Sequence, residues 1–185
     1  KKIDNIFISA PENCAWLLNI RGFDNPNSPI PNCQIIFSKD RKIYFFSDLK
    51  KINKIKKTIN YKKIHFYKFE KFVNIINNLS GKNFLIDENS CSVFNRSIIL
   101  SKFDILGEND PCYQLKAIKN QTEIKNMINA HVEDGAALTK FLYWIKNNKS
   151  TNLTEIDTEK KLERFRKNNK NFLYPSFNTI AGSGP

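Results

Sequence analysis

The stretch Cys33-Gln34-Ile35-Ile36-Phe37-Ser38-Lys39-Asp40-Arg41-Lys42-Ile43-Tyr44-Phe45-Phe46 decides the fold class. Two short runs rich in β-branched and aromatic side chains flank three polar residues. Residues 33–38 and 42–46 are therefore expected to pair as a hairpin through a turn at Lys39-Asp40-Arg41. Directly afterwards the period changes: Asp48 stands where a helix cap belongs, and Leu49, Ile52, Ile55 and Ile59 recur at helical spacing. Strands that give way to helices in this manner indicate an α/β layer structure.

The same alternation continues outward. A strand is expected at Lys63-Ile64-His65-Phe66, then a helix carrying Phe69, Phe72, Val73, Ile76 and Leu79 and closed by Gly81 in a left-handed cap, then a strand at Phe84-Leu85-Ile86. Gly107-Glu108-Asn109-Asp110-Pro111 combines helix breakers with acids and reads as a linker. Beyond it, Asn120 and Glu123 form a capping pair for a long helix with Ile124, Ile128, Val132, Leu138, Phe141, Leu142 and Ile145 on its apolar positions, running to about residue 148. Asp157 is the expected cap of a further helix holding Leu162 and Phe165, and Ser176-Phe177-Asn178-Thr179-Ile180 the expected strand after it.

Composition sets the outer limits. With 185 residues, 41% of them hydrophobic, the chain has material for a real core and is far from the profile of a disordered protein. No run approaches a membrane span and no signal peptide can be read, so no membrane partner is expected. The net charge of +12 comes from 25 Lys and only 5 Arg, with Lys, Asn and Ile in excess throughout, which fits a drift toward AT-rich codons. Arginine, the preferred phosphate and base reader, is scarce, so no nucleic-acid partner is expected either. Cys14, Cys33, Cys91 and Cys112 form no CxxC pair and suggest neither a zinc site nor a disulfide framework, which fits a reducing compartment, the cytoplasm. Met127 is the sole methionine, so the chain is expected to be a piece of a longer protein.

Few residues offer chemistry. The lysines at 50, 51, 54, 56 and 57 fall off the apolar stripe of their helix and read as a solvated face. His65 lies in a strand pattern without a nearby Cys, Asp or second His, which suits a structural histidine. His131 and Asp134 share one face of the long helix, where an Asp can orient an imidazole, but no third ligand lies near enough in sequence for a metal site. Gly182-Ser183-Gly184 lacks the Lys-Ser/Thr of a phosphate loop. No nucleophile elbow, zincin motif or Cys-His dyad is present.

Three blocks carry a resemblance. Ala15-Trp16-Leu17-Leu18-Asn19-Ile20-Arg21-Gly22, with Asp24 and Pro29, resembles the opening of the middle domain of the aminopeptidase P family, Xaa-Pro aminopeptidases of the creatinase/prolidase (M24) superfamily. Lys116 to Ile124, Met127, Ala130-His131, Asp134 to Leu138 and Lys140 to Trp144 resemble the linker and first helix of that family's catalytic domain. Lys161 to Glu163, Phe165-Arg166, Ser176 to Ile180 and Gly182-Ser183-Gly184-Pro185 are similar to its second helix and first strand.

The resemblance implies a mixed-sheet α/β middle domain at residues 1–113, then the start of a pita-bread metallopeptidase domain at 114–185. It implies a full-length homodimer that releases an N-terminal residue preceding proline from peptides. A hydroxide bridging two divalent metals, usually manganese, would attack the scissile carbonyl. The family's ligands, two Asp, one His and two Glu, match no position in this chain. No catalytic, substrate-binding or metal residue is therefore assigned here, and the chain alone is expected to be inactive. A non-catalytic pseudo-peptidase or binding module of the same fold is the alternative that the resemblance leaves open.

Overall fold

The computed structural model describes residues 2–58, 63–149 and 152–183. The chain divides into two compact units, Lys1–Ile118 and Lys119–Pro185.

The first unit is built on one six-stranded sheet. In chain order its elements are β1 (Asn5–Ile8), α1 (Pro11–Leu18), β2 (Gln34–Ser38), β3 (Ile43–Phe46), α2 (Leu49–Thr58), β4 (Ile64–Tyr67), α3 (Phe72–Asn78), β5 (Asn83–Ile86), α4 (Val93–Leu100), β6 (Asp104–Gly107) and α5 (Pro111–Ala117). The strands lie side by side as β4-β3-β2-β1-β5-β6. β1–β2 and β2–β3 are antiparallel, while β3–β4, β1–β5 and β5–β6 are parallel, so the sheet is mixed.

The two-residue side-chain period of the strands splits the core between the two faces. Phe7, Ile36, Phe46, Phe84 and Ile86 point to one side, where they meet Phe72, Ile75 and Ile76 of α3 and Ile99 of α4. Their sequence neighbours Ile8, Ile35 and Phe45 point to the other, against Cys14, Ala15 and Leu18 of α1, Ile52 of α2 and Cys112 of α5. Helices thus cover both faces of the sheet.

The hairpin forms as expected. The Arg41 N–H donates to the Ser38 carbonyl at 2.9 Å, and Arg41 takes the left-handed φ of 60° that closes so short a turn. The Asp48 carbonyl accepts the first helical bond of α2 from Ile52, and its carboxylate holds Lys51 at 2.6 Å. Ile59 of the expected stripe lies outside the described residues.

The helix expected from Phe69 to Leu79 starts instead as a 3-10 turn at Phe69–Lys71, and Val73 of its apolar set faces out, 44% exposed. Gly81 stands three residues beyond the end of α3 and is not its cap. At φ 117° it turns the chain into β5 where Asp4 lies against it. The Gly107–Pro111 stretch is no free linker: Gly107 ends β6, Asp110 is buried, and Pro111 opens α5. A breaker-rich sequence here serves a strand end and a helix start placed back to back.

Asp4 fastens the start of β1. Its carboxylate accepts the N–H groups of Lys82 at 2.8 Å and Asn83 at 3.2 Å and pairs with Lys39 at 3.2 Å. These donors favour the charged form and hold its pKa down at about 2. Because the folded pKa is depressed, the stabilisation is present above the unfolded value near 3.8 and fades as pH falls toward 2. Asp4→Asn is expected to lower the urea midpoint at neutral pH, with the gap to wild type closing as pH drops through that window. A gap independent of pH would show that the charge of Asp4 is not what fastens β1.

The second unit consists of α6 (Gln121–Asn147) and α7 (Glu155–Lys167). Asn120 and Glu123 form the expected capping box of α6. In α7 the cap is Thr154, not Asp157; Asp157 is the third residue of the helix and returns the reciprocal bond of the box to Thr154. The strand expected at Ser176–Ile180 does not form. A strand needs a neighbour for its backbone bonds, and none of the described residues of this unit supplies one. Gly184 and Pro185, the end of the turn sequence, lie outside the described residues.

Candidate functional site

The long helix brings His131 and Asp134 onto one face, but they do not form a dyad. Asp134 is claimed by Arg166 of α7 in a bidentate pair, Nε to Oδ1 at 2.6 Å, which a planar guanidinium makes better than an imidazole. A ring nitrogen of His131, Nδ1, lies 2.8 Å from the Met127 carbonyl one turn back. Asn169 binds Glu133 beside the ion pair, and these residues line a groove of about 530 Å³ between α6 and α7. Its charged groups are engaged with partners across the two helices, so the groove reads as helix packing. His65 is exposed on the edge strand β4, and among the described residues no metal-ligating group is gathered around it.

The first unit holds a denser constellation at the place where open α/β sheets ordinarily bind ligands. β1 feeds α1 on one face of the sheet while its parallel neighbour β5 feeds α4 on the other, so a crevice is expected beyond their carboxyl ends. The chain fills it with its own side chains. Ser9 after β1 and Ser90 after β5 share a hydrogen bond at 2.7 Å. Asp87 accepts the Asn89 N–H on one oxygen and the Asp110 N–H on the other. Asp110 caps α5 by accepting the Cys112 N–H at 2.8 Å and receives Asn13 Nδ2 at 2.7 Å. Lys116 then donates to Asn13 Oδ1. Asn13, Asp87 and Asp110 are all buried, and each oxygen named is engaged by a donor.

Sequence reasoning missed this network. The available signal was Asp110-Pro111, a capping acid followed by the one residue preferred at the first helical position.

Three of the four thiols are not poised for chemistry. Burial pushes Cys14 upward, Cys91 to about 11 and Cys112 to about 12, the last helped by Asp110, so all three are protonated at neutral pH. Among the described residues no three His, Cys, Asp or Glu side chains come together to hold a metal ion. The donor set for a pair of divalent metals is therefore not among them.

The first resemblance block has a plain structural meaning. Asn19 ends α1 in the left-handed region at φ 49°, and the Gly22 N–H binds the Pro29 carbonyl at 3.1 Å. A Cβ on Gly22 would stand 2.6 Å from Cβ of Pro31, so only glycine fits the returning loop. Asp24 closes that loop through the Asn32 N–H and through Lys51, which also lowers its pKa.

Comparison with known proteins gives these residues their setting. The family described as Creatinase/Prolidase N-terminal domain matches residues 1–123. A probable Xaa-Pro aminopeptidase P of Paracoccidioides brasiliensis is 32% identical over all of this chain and 32% of its own length. Aminopeptidase P2 of Arabidopsis thaliana is 29% identical over 97% of the chain and 30% of its own length. Among solved structures, the X-prolyl aminopeptidase of Caenorhabditis elegans, described as a cytosolic enzyme with a di-nuclear active site, superposes with a TM-score of 0.81 at 24% identity. It covers 97% of this chain and 31% of that one. The Xaa-Pro dipeptidase of Bacillus anthracis shares the fold with a TM-score of 0.67 at 16% identity, over 90% of this chain and 44% of that one. The chain thus spans about a third of the length of the relatives it matches. By the match over residues 1–123 and the mixed sheet that those residues fold into, this chain belongs to the creatinase/prolidase superfamily and is aminopeptidase P-like.

Proposed function

We propose that residues 1–185 are the non-catalytic portion of a cytoplasmic, homodimeric metallo-aminopeptidase that releases an N-terminal residue preceding proline. Residues 1–113 are its middle domain and 114–185 the opening of its pita-bread catalytic domain. The observation that carries the reading is the match of essentially the whole chain to Xaa-Pro aminopeptidases, at up to 32% identity among those compared. The two metals, manganese in this reading, would polarise the scissile carbonyl and supply the attacking hydroxide. Their ligands lie in sequence outside residues 1–185, and no residue described above takes a chemical step. The role of the first unit is architectural: a sheet covered on both faces, with its ligand crevice filled, positions its neighbours around the substrate entrance and limits access to short peptides.

The test is a manganese-supplemented cleavage assay on a short X-Pro peptide, run on this chain and on the longer protein that contains it. Release of the first residue by the longer protein alone is expected. No release by either would favour a pseudo-peptidase of the same fold, and release by this chain would overturn the placement of the active site.

A further inference from the structure

The lysines of the first unit are distributed far less evenly than the composition suggests. Residues 49–71 hold nine lysines and one glutamate, whereas residues 1–48 and 72–118 together hold ten basic and ten acidic residues. The whole net charge of the unit therefore falls within residues 49–71. Five of these lysines are on α2, which packs on the α1 side of the sheet, while Lys63, Lys68 and Lys71 flank the edge strand β4. Guarding an exposed strand edge accounts for some lysine there. It does not account for what lies beside it.

On the α3 side of the sheet, Tyr44 of β3 and His65 of β4 are register partners with ring centroids 5.7 Å apart and planes 28° from parallel. Tyr67 continues the row, 6.2 Å from Tyr44 with planes at 21°. α3 covers the neighbouring pleat, where Phe72 packs on Phe46 at 5.3 Å, but His65 is left exposed and Tyr44 and Tyr67 half-buried. Strand alternation places Lys42 and Lys63 on this same face, one pleat before Tyr44 and His65, and Lys68 and Lys71 follow Tyr67. Of these four, Lys42 has a carboxylate within reach, Asp40 at 3.8 Å.

We propose that this face binds single-stranded nucleic acid, with His65 and Tyr67, the outer rings on either side of Tyr44, each stacking a base and Lys42, Lys63, Lys68 and Lys71 following the phosphates. Aromatic rings on a sheet surface accept any base by its π-face, and flanking cations hold the backbone without reading sequence. Such a mode needs point charges rather than the bidentate fork of arginine, so the scarcity of arginine does not count against it. Charge complementarity selects a polyanion, and the aromatic row selects one that carries bases.

Fluorescence anisotropy of the 185-residue chain with a labelled RNA of about twelve nucleotides tests this. Binding at about 10 μM is expected in low salt, with log K falling against log salt at a slope of about −3 for four phosphates. His65→Ala, at an exposed site, is expected to weaken binding about tenfold with an unchanged far-UV spectrum. Lys63→Glu with Lys68→Glu should flatten the slope. An abasic oligomer of the same length should bind about tenfold more weakly than the RNA. Absence of binding in low salt overturns the proposal. So does equal affinity for the abasic oligomer, for polyglutamate or for anionic vesicles, or an intact His65→Ala variant of undiminished affinity, since each would mean a surface that is merely cationic.

Discussion

Asp110→Ala is expected to lower the stability of the first unit by about 3 kcal/mol, read as a lowered urea midpoint or a melting temperature reduced by roughly 10 °C. Two losses add. The carboxylate is the cap of α5, and replacing a capping Asp by Ala costs about 1 kcal/mol. The same group is the acceptor for Asn13, whose buried amide would then have a donor without a partner at a further cost of about 1–3 kcal/mol. Asp110→Asn should fall between, because Cys112 and Asn13 bind different carboxylate oxygens and the amide puts an NH2, which cannot accept, in place of one of them. Lys116→Met removes only the outer donor to Asn13 and should cost least. A loss below about 0.5 kcal/mol for Asp110→Ala would mean that water replaces the carboxylate and that the crevice is open to solvent.

That network also marks the limit of what could be read in advance. β2 and β3 were legible because their apolar runs are bounded by a polar turn, and α6 because Asn120 and Glu123 announce its start. α1 was not. Its eight residues include Asn13, Cys14, Ala15 and Leu18, all buried, so a polar residue lies on the inner face and blurs the helical stripe. Nothing local says that Asn13 will meet Asp110, 97 positions on. The expectation at Ser176–Ile180 failed for the opposite reason: its residues are β-prone, but a strand is a property of two segments, and the described residues of this unit offer it no partner, the chain bending at Ser176 and Phe177 instead. His131 and Asp134 were placed on one helix face correctly, yet the partner that decides the role of Asp134 is Arg166, 32 residues away on another helix. In each case the part that could not be read nearby depends on residues distant in sequence.

The sharpest instance is Gly81, where one missing side chain joins the starts of two neighbouring strands, β1 and β5. Gly81→Ala is expected to cost about 3 kcal/mol, by two routes. The φ of 117° lies where a side chain strains the backbone. The new Cβ would also stand 2.6 Å from Cβ of Asp4 and 3.2 Å from Nδ2 of Asn5, both buried and neither the free end of a long side chain. To make room, Asp4 must withdraw from Lys82 and Asn83, and Asn5 from the Ser80 carbonyl. The damage is therefore coupled to the acid-sensitive contact at the start of β1. In the double variant with Asp4→Asn, the two losses should sum to clearly more than the measured total, because the first substitution already breaks the bonds that the second removes. Additive losses within about 0.5 kcal/mol would show that the cost of a side chain at Gly81 is backbone strain alone. The contact between Asp4 and the turn before β5 would then survive a side chain at Gly81, and its hold on β1 would be read from Asp4→Asn alone.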